Sequence, residues 1–184
     1  DLRTLGTTEV ILTGDGDPLP HRHWEEMILL FKRAGCQVQL ITNGTLIDGS
    51  AARRLVDSGL DTLHVSLWAA STEVYALCYP QTQPDYLQRT IDGLRHVSEV
   101  KARNHTSRPT VKLRCVVNRF NVHHLREWIS LAHETGCQGA DLLGCVRDGM
   151  RTTGTRQVPQ NVLRRDTLAK DRTGRIRLGF RMGW

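Results

Sequence analysis

The sequence predicts an α/β protein built on a parallel sheet, and three observations carry that prediction. Short β-rich runs alternate with longer amphipathic stretches from residue 9 to about residue 145, the pattern of successive βαβ units. Gly35, Gly59 and Gly136 each close a helix-like stretch shortly before the next strand-like run, which suits the left-handed position after a helix end. The segments AGCQVQLI and TGCQGADL share a Gly-Cys-Gln start, an internal echo of repeated β/α units as in a barrel or partial barrel. A flavodoxin-like open sheet shares this local pattern and stays open as an alternative.

The elements follow in order. Residues 9–13 form a compact apolar run and a first strand. Residues 22–34 place Trp24, Met27, Ile28, Phe31 and Ala34 at helical spacing. Residues 37–42 read as a second strand, and 50–58 as a helix with Ser50 as its N-cap. Residues 61–67 are a third strand. In 85–101, Leu87, Ile91, Leu94, Val97 and Val100 share one helical face. Residues 110–117 are a fourth strand. Asn121 then caps a helix that puts Val122, Leu125, Ile129 and Ala132 on one side, and 139–143 is a weaker fifth strand.

The chain has 184 residues and a formal charge of +6. A basic chain invites a nucleic-acid partner, but the charge is unevenly spread. Residues 1–150 are near neutral, whereas 151–184 hold nine basic side chains against Asp166 and Asp171. The sequence therefore divides into a 1–150 body and a 151–184 basic tail. The tail has no sustained apolar period and reads as disordered, a linker or an incomplete gene end. Its basic residues lack interleaved aromatics for base stacking, which argues against nucleic acid. No apolar run approaches the length of a membrane-spanning helix. The five cysteines form no closely spaced pair, so a disulfide framework is not expected; this points to a reducing, cytoplasmic setting.

In parallel α/β folds chemistry collects at the carboxyl ends of strands. Strand one runs into Gly14-Asp15-Gly16-Asp17-Pro18, and strand two into Thr42-Asn43-Gly44-Thr45. Strand three carries Ser66 and Trp68 near its end. Strand four carries Lys112 and Arg114, two apart and so on one face. Glycines let the backbone approach a ligand, and the Asp17 carboxylate can accept hydrogen bonds from a cationic amine. Asp15 and Asp17 also form a D-x-D pair that could hold Mg²⁺, so a Mg²⁺-dependent α/β transferase is the alternative enzyme. Lys112 and Arg114 could hold a carboxylate or phosphate. His21, His23, His133 and Cys137 lack the partners of a zinc site.

These strand ends, in this order, resemble the radical S-adenosylmethionine (SAM) superfamily. Gly14-Asp15-Gly16-Asp17-Pro18-Leu19 resembles its G-G-G-E-P-L loop, Thr42-Asn43-Gly44-Thr45-Leu46 its T-N-G-T-L segment, and Asp61 to Leu67 its D-x-x-x-V-S-L strand. The stretch from Val111 to Leu125 is similar to the next strand–loop–helix unit. The nearest branch holds molybdenum-cofactor biosynthesis proteins and peptide-modifying enzymes with auxiliary clusters. The resemblance implies a parallel (β/α)₆ partial TIM-type barrel. It implies a [4Fe–4S] cluster that cleaves SAM reductively to a 5′-deoxyadenosyl radical, which abstracts hydrogen from a small-molecule or peptide substrate. A flavodoxin- or ferredoxin-type electron donor would be the partner. Gly14, Asp15, Gly16 and Asp17 would meet the SAM amino group, and Ser66 its ribose or carboxylate. Thr42 and Asn43 would line the cavity, while Lys112 or Arg114 would hold substrate. Two departures stand out. Asp17 replaces the usual glutamate and Asp15 a glycine. The cluster motif C-x-x-x-C-x-x-C is absent, so the first strand and its cluster loop are expected upstream, leaving about five strands in this chain.

Overall fold

The computed structural model describes residues 6–14 and 16–143, together with the strands at 169–170 and 175–180. In chain order the elements are β1 (Glu9–Gly14), α1 (Trp24–Arg33), β2 (Gln37–Thr42), α2 (Gly49–Asp57) and β3 (Thr62–Ser66). Then come α3 (Thr72–Cys78), α4 (Tyr86–Arg103), β4 (Thr110–Val116), a 3₁₀ turn (Val122–His124), α5 (Leu125–Glu134) and β5 (Gly139–Leu143). Strands β6 (Ala169–Lys170) and β7 (Arg175–Phe180) follow.

The sheet order is β5-β4-β3-β2-β1-β7-β6. Strands β1 to β5 lie side by side in chain order, all parallel. Parallel crossovers are right-handed almost without exception, so strands added always on the same side carry their helices on one face. A flavodoxin-like sheet reverses its strand order and carries helices on both. The observed order therefore gives the partial-barrel type of α/β fold, with five successive parallel strands as expected.

The strand side chains follow the same division. Val10, Leu12, Val38, Leu40, Leu63, Val65, Val111, Leu113 and Cys115 are buried in one core with Ile28, Phe31, Leu55, Leu94, Val97 and Trp128 of the helices. Each fully buried leucine contributes roughly 2–3 kcal/mol of transfer free energy. The alternate positions point to the opposite, lumen-like face. They include Gln39, Thr62, His64, Ser66, Lys112, Arg114 and Asp141.

Gly35, Gly59 and Gly136 have φ of +78°, +72° and +74°, as the helix-end reading requires. Other local expectations are corrected. The N-cap of α2 is Asp48, which accepts a hydrogen bond from the Ala51 amide at 2.7 Å; Ser50 lies within the first turn. Helix α3 was not anticipated, because only Val74 and Tyr75 of its seven residues are buried, too few for a period. Helix α5 buries Trp128, Leu131 and Ala132, while Val122 and Ile129 are exposed. Val122 lies in the preceding 3₁₀ turn, outside α5, so it does not extend the helical face.

The tail expectation changes at two segments. Strand β7 pairs in parallel with β1 from Glu9↔Arg175 to Gly14↔Phe180, and β6 pairs antiparallel with β7. Its sequence RIRLGF alternates with period two, and the open edge of β1 offers a row of unpaired backbone groups. The rest of 151–184 lies outside the described residues. No described helix is long and apolar enough to cross a membrane.

Candidate functional site

The carboxyl ends of β1 and β2 are joined by one side chain. Asp17 Oδ2 accepts hydrogen bonds from the Thr42 hydroxyl at 2.7 Å and the Asn43 amide at 2.6 Å. Its Oδ1 accepts from the Leu19 amide at 3.0 Å, closing a local turn. The glycine loop is thus fastened to the segment after β2. A carboxylate offers about four acceptor directions, so one remains beyond these three donors. Gly14 and Gly16 are exposed, leaving backbone open beside the carboxylate. Asp15 lies outside the described residues.

The second loop is equally constrained. Thr42 is buried, and its hydroxyl also accepts from the Gly44 amide at 3.0 Å. Asn43 is exposed; its side-chain oxygen accepts from both the amide and the hydroxyl of Thr45. The Asn43 carbonyl accepts from the Thr90 hydroxyl of α4 at 3.1 Å. Gly44 has φ +80°, and a Cβ there would lie 2.9 Å from Val65 Cγ1. Only glycine fits both the backbone and the space.

The exit of β3 is braced from α5. The Leu67 carbonyl accepts from Trp128 Nε1 at 2.6 Å. Asn121 is buried and has no capping hydrogen bond, contrary to its expected role. Its Nδ2 donates to the carbonyls of Trp68 and Val116, each at 3.0 Å, and its Oδ1 accepts from the Asn118 amide. Asn121 therefore ties the loop after β3 to that after β4. The Trp68 ring packs on Tyr79, with centroids 4.9 Å apart.

Ser66, Lys112 and Arg114 share the lumen face. In register, His64 lies opposite Lys112 and Ser66 opposite Arg114, which in turn lies opposite Asp141. Arg114 Nε stands 3.5 Å from Asp141 Oδ2, and His64 Nδ1 stands 3.6 Å from the same oxygen. His64 is 5% exposed, and its Nε2 lies 2.8 Å from Gln39 Oε1. Gln39 in turn donates its amide N–H to the Glu9 carboxylate. Burial, reinforced by Arg114 and Lys112 and opposed by Asp141, lowers the His64 pKa to about 4. The imidazole is therefore neutral at pH 7.

The structure thus brings Asp17, Thr42 and Asn43 into direct contact and places Ser66, Lys112 and Arg114 together on the neighbouring lumen face. Glu9, Gln39, His64 and Asp141 escaped the sequence reading. The one signal, polar residues at every second position of an otherwise apolar strand, is complete around His64 in β3, partial around Gln39 in β2, and missing around Glu9 and Asp141. The described cysteines are free; Cys36 and Cys115 are buried, while Cys78 and Cys137 are only partly so. Burial pushes the Cys115 thiol up to about 11. Among the described residues no group of three His, Cys, Asp or Glu side chains could hold a metal.

Comparison with known proteins gives a consistent picture. A probable GTP 3′,8-cyclase of Saccharolobus islandicus is 32% identical over 142 residues, covering 77% of this chain and 42% of that protein. Its counterpart in Metallosphaera sedula is 30% identical over 140 residues, covering 76% of this chain and 41% of its own. The chain thus spans less than half the length of these curated relatives. Among solved structures, archaeal TYW1 aligns with a TM-score of 0.57 at 16% identity, over 73% of this chain and 42% of that one. Streptococcus suis SuiB bound to S-adenosylmethionine aligns with a TM-score of 0.59 at 15% identity, over 75% of this chain and 30% of that one. The family model of the radical SAM superfamily matches residues 2–132, and with the parallel sheet and the loops at its carboxyl end this chain belongs to that superfamily.

Proposed function

We propose that this chain is the SAM-binding portion of a longer radical SAM enzyme whose substrate carries a phosphate or carboxylate. The observation that carries this reading is the Asp17 carboxylate, which locks the glycine loop to Thr42 and Asn43 while keeping an acceptor direction and adjacent glycine backbone for an amino-acid ligand. When bound, SAM and a [4Fe–4S] cluster supply reductive cleavage of SAM and hydrogen abstraction from substrate.

The fit of the two groups to this chain differs. SAM suits the rim. Asp17 accepts from its ammonium, the backbone of Gly14 and Gly16 lies open beside it, and Ser66 stands at the end of the next strand but one. The cluster does not suit the residues present. Cys36, Cys78, Cys115 and Cys137 stand on separate elements or loops, and no C-x-x-x-C-x-x-C occurs. In this reading the cluster motif lies upstream in the longer protein, and an electron donor of flavodoxin or ferredoxin type serves the whole enzyme. Lys112 and Arg114 hold the substrate anion on the lumen face, where Arg114 Nε stands 3.5 Å from the Asp141 carboxylate. The curated relatives named as GTP cyclases favour a nucleotide over the peptide alternative.

The test is an amide chemical-shift titration of the chain with SAM. The Gly16, Asn43 and Ser66 resonances should move, and Asp17→Asn should weaken binding about tenfold or more, the range for a charge-assisted hydrogen bond. Shifts scattered away from the rim, or full affinity in Asp17→Asn, would sink the SAM assignment. Recovering the preceding reading frame without C-x-x-x-C-x-x-C would sink the catalytic claim.

A further inference from the structure

The lumen face holds buried polar atoms that the SAM rim does not use. The Glu9 carboxylate accepts from Gln39 Nε2, which fixes the orientation of the Gln39 amide and turns its Oε1 toward His64. His64 Nε2 must then be the donor in that 2.8 Å contact. A neutral imidazole with its proton on Nε2 presents a lone pair at Nδ1. That Nδ1 is buried and makes no hydrogen bond, and neither does the buried Arg114 Nε–H. Both stand at 3.5–3.6 Å from one oxygen of Asp141. The three atoms comprise one donor and two acceptors. A hydroxyl group complements such a set, since its oxygen can accept from Arg114 and its proton can go to His64 or Asp141. A bare anion does not, because it would face the His64 lone pair and the Asp141 carboxylate.

We infer that His64, set in its Nε2–H form by the Glu9–Gln39 pair, is a specificity-determining residue whose Nδ1 accepts a hydrogen bond from a substrate hydroxyl seated against Arg114 and Asp141. The inference rests on the reading above that substrate enters this face with its anion on Lys112 and Arg114. It adds a requirement that the anion holders alone do not impose: a ligand must bring a hydroxyl as well as a charge. The low basicity of His64 supports it, because an imidazolium would offer a donor at Nδ1 instead.

The test uses the full chain, uniformly labelled with ¹⁵N, probed with GTP and with inorganic triphosphate, which lacks a sugar hydroxyl. The free chain should show the Nε2–H form of His64. GTP should move the Nδ1 resonance toward its hydrogen-bonded position, while triphosphate moves only the Lys112 and Arg114 backbone amides. His64→Phe should lose about tenfold in GTP affinity, as for one hydrogen bond, and keep its triphosphate affinity, which also reports that it folds. His64→Asn, which returns an acceptor oxygen near the Nδ1 position, should recover most of the loss. The inference falls if GTP moves the Lys112 and Arg114 amides but leaves Nδ1 unchanged, since an ordered water then already serves that atom. It also falls if His64→Phe binds GTP as well as the parent. Absence of any GTP response overturns both the inference and the substrate reading, whereas the SAM titration judges the rim separately.

Discussion

His64 shows how much a single buried group can tie stability to pH. Its pKa is about 4 in the folded chain against 6.5 unperturbed, with burial as the main cause and Arg114 and Lys112 adding to it against Asp141. The unfolded chain therefore binds a proton on this residue that the folded chain refuses. Stability rises with pH between those two values, is complete above about 6.5, and is progressively lost as pH falls toward 4. The slope attributable to one proton is at most about 1.4 kcal/mol per pH unit. Urea midpoints measured from pH 4 to pH 7 should fall more steeply in the parent than in His64→Asn. Equal slopes would mean that the imidazole is not held neutral by the fold. Nothing in the local sequence singles out this histidine, because its environment comes from Gln39, Lys112, Arg114 and Asp141 on three other strands.

At the level of elements, the loop after β2 and helix α4 are fitted to one another. A Cβ on Gly93 would lie 2.9 Å from Ile47 Cβ and 3.0 Å from the Gly44 and Ile47 carbonyl oxygens. Two effects oppose each other in Gly93→Ala. Helix propensity favours alanine by about 1 kcal/mol. Overpacking against backbone oxygens costs roughly 1–3 kcal/mol, because those atoms belong to the constrained Thr42–Ile47 loop. The steric effect should win, with a net loss of stability and a weaker SAM response at Asn43. An unchanged or raised denaturation midpoint would show that α4 can slide away from the loop without consequence. The strands and most helices were legible from period and turn residues. The buried face of α5 was not, because it is Trp128, tied to the Leu67 carbonyl, that turns into the core in place of Ile129. Helix α3 was missed because a short helix buries too little to leave a periodic trace.

For the whole molecule, the sheet extends past β1 through β7, so β1, the strand that leads into the glycine loop, is paired on both sides. Ending the chain before residue 169 should leave β1 as an edge. Amide hydrogen exchange in β1 should then accelerate relative to β3, which keeps both neighbours. Unchanged protection of β1 would mean that β7 contributes nothing to its stability. The basic character of the chain is no guide to a polyanionic partner, since the body is near neutral and the positive excess lies after residue 150.

The sequence alone determined the alternation of strands and helices, the helix-ending glycines, and the polar loops Gly14–Asp17 and Thr42–Thr45 at successive strand ends. These are local properties, set by side-chain period and backbone freedom within a few residues. Tertiary structure alone decided between a one-sided and a two-sided sheet, because strand order is a relation among segments far apart in the chain. It also decided that Asp17 clasps Thr42 and Asn43 and that Asn121 braces two loops rather than capping a helix. It built the file from Glu9 through Gln39 and His64 to Arg114 and Asp141. Each of these depends on register between strands, and register is fixed by burying one face of every strand in a common core.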